Sequence, residues 1–99
     1  MNKYVWTNGN FRYTRISKQA AIKALDNGKE IAMIPCNANP NHIFFSWVKH
    51  YTLKSLQFIY DYCENKTTKN LLEKAYNEAW FYCPKELGRY LSYYIVEQI

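Results

Sequence analysis

Residues 3–14, Lys3-Tyr4-Val5-Trp6-Thr7-Asn8-Gly9-Asn10-Phe11-Arg12-Tyr13-Thr14, decide how the chain begins to fold. Two aromatic and β-branched runs flank Asn8-Gly9, a dipeptide that accepts the positive φ angles of a two-residue hairpin turn. A turn there pairs Trp6 with Phe11 and Tyr4 with Tyr13. All four rings then share one face of the ribbon, and Lys3, Val5, Arg12 and Thr14 share the other. A face of four aromatics is read first as cover for a core.

After this hairpin the pattern changes period. Ser17 has the character of an N-cap for a helix from Lys18 to Asn27, with Gly28 in the C′ position. Ala21, Ala24 and Leu25 give that helix a narrow apolar stripe suited to close packing on a sheet. Residues 30–35, Glu-Ile-Ala-Met-Ile-Pro, read as a buried strand stopped by Pro35. Residues 36–42 are turn-rich, and Ile43 to Val48 fits either a strand or the start of a helix.

Thr52 is placed to cap a helix reaching about Glu64, with Leu53, Leu56, Ile59, Tyr60 and Cys63 at helical spacing. A break at Asn65-Lys66-Thr67 precedes a helix over residues 69–81, whose stripe is Leu72, Ala75 and Ala79 with Leu71, Tyr76 and Trp80 beside it. Cys83-Pro84 ends it, and residues 90–97 read as a final strand entered through Gly88. The expected fold is a single α+β domain over residues 1–99, in which a small, mainly antiparallel sheet packs with about three helices.

Composition narrows the function. Ten Tyr, five Phe and three Trp in 99 residues exceed what one modest core must hold, and the formal charge is +5. The cations are concentrated early. Residues 1–60 carry eight basic groups against Asp26 and Glu30, while residues 61–99 carry five against six acids. Exposed rings beside positive charge fit either a protein interface or a nucleic-acid surface. No apolar run approaches the roughly 20 residues of a membrane span, and the N-terminus lacks a signal-peptide core. A cytoplasmic location and reduced Cys36, Cys63 and Cys83 are expected.

Signals for chemistry are sparse. The three glycines stand apart, which excludes a phosphate-binding glycine loop, and no carboxylate pair forms a local motif. An enzyme reading rests on Cys36 with His42 or His50 and lacks a third group to orient the base. A metal drawn from Cys36, His42, His50, Cys63 and Cys83 lacks the two close ligand pairs of structural zinc. No cofactor is expected.

Arg15-Ile-Ser-Lys-Gln-Ala-Ala, with Asn27-Gly-Lys-Glu-Ile and Ile34-Pro-Cys, resembles the opening of small domains found in phages and conjugative elements of Gram-positive bacteria. Phe81-Tyr-Cys-Pro-Lys-Glu-Leu-Gly-Arg-Tyr with Tyr93-Tyr-Ile-Val resembles their closing strand. The resemblance covers about half the chain, and neither motif is catalytic. It implies an accessory protein of a mobile element, acting as a stoichiometric inhibitor of a host defence complex in the manner of anti-CRISPR proteins. Many of those are acidic nucleic-acid mimics, and this basic chain departs from that pattern. An inhibitor of this charge is expected to dock on an acidic protein surface or a nucleoprotein complex.

The expected binding residues are Arg12, Arg15, Lys18 and Lys23, with Trp47, Lys49 and Tyr51 as a second patch. A tyrosine-rich end (Tyr76, Tyr82, Tyr90, Tyr93, Tyr94) also suits a protein partner. The alternatives are a nucleic-acid-binding module using the same basic, aromatic residues, and an enzyme using Cys36 and His42. The chain is expected as a monomer, or as a homodimer paired through edge strands near Tyr4 or Tyr94.

Overall fold

A computed structural model describes residues 5–8, 10–36, 49–82 and 90–98. In chain order the elements are β1 (Val5–Asn8), β2 (Phe11–Ile16), α1 (Lys18–Asp26), β3 (Ile31–Pro35), β4 (Lys49–Tyr51), α2 (Leu53–Ile59), α3 (Thr68–Tyr82) and β5 (Leu91–Gln98). The architecture is α+β: one small antiparallel sheet and three helices among the described residues.

The hairpin forms in a different register from the one expected. Trp6 pairs with Tyr13 and Asn8 with Phe11, so Asn8 is the last residue of β1 instead of a turn position. The slip is two residues, which leaves the inward and outward alternation of β2 unchanged. Tyr4 and Gly9 lie outside the described residues.

Local chemistry sets the helix ends. The Ser17 hydroxyl accepts from the Ala20 amide at 3.1 Å, which starts α1 as expected. At the other end the Lys29 amide donates to the Ala24 carbonyl at 2.9 Å and the Gly28 amide to Leu25 at 3.0 Å. That doubled closure requires a left-handed residue, which Gly28 supplies at φ +77°. Thr52 and Ser55 bond reciprocally at 2.9 and 3.1 Å to start α2. This helix ends at Ile59, short of Glu64, because the Cys63 amide bonds the Tyr60 carbonyl in a tight turn. Thr67 begins α3, with its hydroxyl accepting from the Asn70 amide at 3.3 Å.

The strand order is β1-β2-β5-β3-β4, which places the last strand at the centre. Val96 donates to the Glu30 carbonyl and Cys36 to Tyr90, both at 3.0 Å, so the even-numbered residues of β3 exchange hydrogen bonds with β5. Pro35 has odd parity, turns its missing N–H away from β5, and costs that ladder nothing. The described part of β4 begins at Lys49, opposite Met33. Its neighbours Ile43 to Val48 lie outside the described residues.

The two faces of the sheet bury different things. Ile31, Met33 and Leu91 turn toward the helices and meet Ala21, Ala24, Leu25, Leu56, Tyr60, Cys63, Leu71, Leu72 and Ala75. The opposite face buries Tyr13, Ala32, Ile34 and Tyr94, with Phe11 and Val96 at its margin. β3 is buried at all five positions, as a run without polar alternation requires. No described helix is long and apolar enough to cross a membrane.

Candidate functional site

The four cations expected as one patch do not converge. Arg12 lies opposite Glu97 on β5 and pairs with it at 3.4 Å. Arg15 is three positions later on the same strand, so it belongs to the other face of the sheet. Lys18, in the first turn of α1, reaches across to Glu73 of α3 at 2.7 Å. The Lys18 ammonium holds the Glu73 carboxyl below its usual range. Lys23 is exposed in the last turn of α1.

The second expected patch divides as well. Lys49 is exposed on β4, whereas Tyr51 packs partly against the main core. Burial, with Glu78 nearby, pushes the Tyr51 phenol up. Trp47 lies outside the described residues.

The tyrosine-rich end is largely structural. Tyr94 is buried, and Tyr76 and Tyr93 sit with ring centroids 5.7 Å apart. The Tyr76 hydroxyl accepts from the Leu91 amide at 3.1 Å. Burial, followed by Tyr76 and Glu73, pushes the Tyr93 phenol up to about 12. These two tyrosines, with Lys18, Glu73, Asn77 and Leu91, line an open groove of about 380 Å³. Tyr90 is exposed, and the Tyr82 side chain lies outside the described residues.

His50 bridges Glu30 and Tyr13. Its Nδ1 lies 2.9 Å from a Glu30 oxygen and its Nε2 2.7 Å from the Tyr13 hydroxyl. A carboxylate oxygen only accepts, so Nδ1 carries a hydrogen, and in the neutral imidazole Nε2 accepts from the phenol. β2 and β4 are three strand spacings apart, roughly 14 Å. The Tyr13 and His50 side chains close that gap over the face of the sheet, with ring centroids 5.4 Å apart and the ring planes at 68°. Phe11 meets the same imidazole edge-on at 5.2 Å.

The order carboxylate, imidazole, hydroxyl is that of an activated nucleophile. Here the hydroxyl belongs to a tyrosine 2% exposed, and burial with Glu30 raises its pKa. Activation needs the reverse shift and an open approach. The trio acts as a clasp between β2 and β4. Cys36 sits half-buried just beyond β3, and His42 lies outside the described residues. Cys63 is in the helical core, on the other side of the sheet from His50. Among the described residues no three His, Cys, Asp or Glu side chains gather as a metal would require.

Four of the six exposed large apolar side chains among the described residues lie on the outer flank of α2 and α3, apart from Trp80 and Tyr90. Phe58 is 86% exposed, Tyr62 74% and Phe81 72%, with Ile59 half-exposed beside them. Leu56 and Tyr60 point into the core, which turns Phe58, about 160° from each around the helix, to solvent. The Tyr60 hydroxyl donates to Glu78 at 3.0 Å, and the Lys74 ammonium stands 5.8 Å from the Tyr62 ring. Lys74, Glu78 and Phe81 therefore form the stripe of α3 that faces the end of α2. Lys54, one turn before Phe58, is exposed on the same side of α2.

None of these exposed rings was among the expected binding residues. Phe58 carried a legible signal, since it falls off the Leu53, Leu56, Tyr60, Cys63 stripe. Tyr62 did not, because its position depends on where α2 stops. Ile59, expected on the stripe, is exposed for the same reason. No protein-family model matches the chain, and searches of curated proteins and of solved structures find no similar protein.

Proposed function

We propose that this protein works by stoichiometric binding, docking on a protein or nucleoprotein surface through the outer flank of α2 and α3. The observation that carries the reading is the pair Phe58 and Tyr62, 86% and 74% exposed on a chain that buries or half-buries seven of its ten other described aromatic side chains. Large rings held in water contribute nothing to folding and are the usual anchors of interfaces. The resemblance to phage and mobile-element domains supplies the context. In that setting the protein is an inhibitor of a host defence complex, anti-CRISPR-like in action, that binds without catalysis. Arg12 and Lys18 commit their charge to Glu97 and Glu73, which favours this reading over a nucleic-acid module built on those cations.

The test is capture from nuclease-treated host lysate on the immobilised chain, beside a Phe58→Ser/Tyr62→Ser variant. A discrete protein retained by the wild type and lost by the variant supports the proposal. Equal retention by both removes the flank as the docking site. A mobility shift with DNA or RNA that weakens linearly in log salt, unaffected by the variant, favours the nucleic-acid module instead.

A further inference from the structure

The aromatic flank lies in a stretch of the chain whose charges balance. Residues 53–82, which span α2 and α3, carry Lys54, Lys66, Lys69 and Lys74 against Asp61, Glu64, Glu73 and Glu78, a net of zero. The whole surplus of +5 belongs to the rest of the chain. That surplus falls in residues 1–52, seven basic groups against Asp26 and Glu30, so two copies brought together through this part of the chain would meet with a net like charge. On the α2–α3 flank both signs border the rings, as a two-fold interface needs, because each patch must complement itself.

The apolar area is sufficient. Aromatic side chains bury about 150–250 Å² each, so Phe58, Tyr62 and Phe81 at their observed exposures, with half of Ile59, offer on the order of 500 Å² per copy. Two copies reach roughly the 1,000 Å² that marks a specific interface. That is also at the upper end of the largest patch a monomer normally leaves in water. Pairing through an edge strand at Tyr94 is excluded, since β5 is central and hydrogen-bonded on both sides.

We infer that a second copy of this chain occupies the α2–α3 flank, forming a two-fold dimer that covers Phe58 and Tyr62 until a partner protein displaces it. The inference rests on the docking role proposed above and adds its regulation: self-association and partner binding compete for the same rings. The dimer stores the docking face out of water and releases it on dilution or capture.

Sedimentation equilibrium over about 1 μM to 1 mM, the range of dissociation constants expected of a small wet interface, reads the inference directly. The expected mass rises from 11.9 kDa toward twice that value. Phe58→Ser/Tyr62→Ser stays monomeric throughout with an unchanged urea midpoint. Charge variants separate a specific dimer from adhesion. Lys54→Glu/Lys74→Glu and Asp61→Lys/Glu64→Lys, all at exposed positions, each weaken self-association at least tenfold, and an equimolar mixture of the two restores the dimer.

A wild type monomeric at about 1 mM overturns the inference, and so does a dimer that neither variant set weakens. Lysate capture keeps the two proposals apart. A monomeric wild type that still loses its partner on Phe58→Ser/Tyr62→Ser leaves the docking reading standing alone. A dimer broken by that variant, with partner capture untouched, removes the docking reading and with it the competition.

Discussion

The β2–α1 side and the α2–α3 flank both carry lysine or arginine near aromatic residues, and the fold uses them in opposite ways. On the β2–α1 side Arg12 and Lys18 are held by carboxylates from β5 and α3, and Tyr13 is buried under His50. On the α2–α3 flank Phe58 and Tyr62 stand in water, with Lys54 and Lys74 beside them. Composition is similar and outcome is not. A cation near a ring in sequence becomes a surface feature only where no other element arrives to claim either one.

Tyr60 and Tyr62 make that contrast within a single turn. Tyr60 is 4% exposed and donates to Glu78, and Tyr62 is 74% exposed. Tyr60→Ala is expected to cost about 3–5 kcal/mol, the range for removing a buried aromatic side chain, read from the urea midpoint. A loss below about 1 kcal/mol would mean that the α2–α3 seam is soft and the flank is not a rigid platform.

Alkaline pH tests the buried side as a whole. Burial raises the phenols of Tyr13, Tyr51, Tyr60, Tyr93 and Tyr94 above the ordinary 10.0, with Tyr93 reaching about 12. The folded state keeps these protons after the unfolded chain has released them. Their stabilisation is therefore complete below pH 10 and is lost as pH rises toward about 12. Urea midpoints should fall progressively across that window, and part of the phenolate absorbance should appear only well above pH 10. Titration of all ten tyrosines in one step near pH 10 would contradict the division.

Smaller effects sharpen the comparison. Thr52→Ala removes the reciprocal cap that orients α2 and is expected to cost about 1 kcal/mol, read from the urea midpoint. Arg12→Ala and Lys18→Ala each remove a half-exposed ion pair worth up to about 1 kcal/mol, and less in high salt. Smallest of all, Phe58→Ser and Tyr62→Ser should leave stability within about 0.5 kcal/mol. A Tyr62 variant as damaging as the Tyr60 one would show that the flank belongs to the core.

The elements themselves were legible because short-range chemistry makes them. Ser17 and Gly28 bracket α1, Thr52 starts α2, Pro35 closes β3, and the apolar runs at 31–35 and 91–96 read as strands. The hairpin register was not legible. A slip of two residues returns every side chain to the same face, so alternation alone does not distinguish Trp6 opposite Phe11 from Trp6 opposite Tyr13. The spatial grouping of the expected cations was not legible for a related reason. Arg12, Arg15, Lys18 and Lys23 are close in sequence, but strand parity separates the first two, and Glu97 and Glu73 arrive from far along the chain.

By itself, then, the sequence determined the α+β character, the helix caps and the apolar stripes, since each depends on contacts within a few residues. Only the tertiary structure decided that β5 lies at the centre of the sheet, that Tyr13 and His50 meet over the strands between them, and that Phe58 and Tyr62 remain outside. Those outcomes depend on pairings between residues tens of positions apart. Whether a ring is covered is a property of the elements that reach it, and no local pattern encodes their arrival.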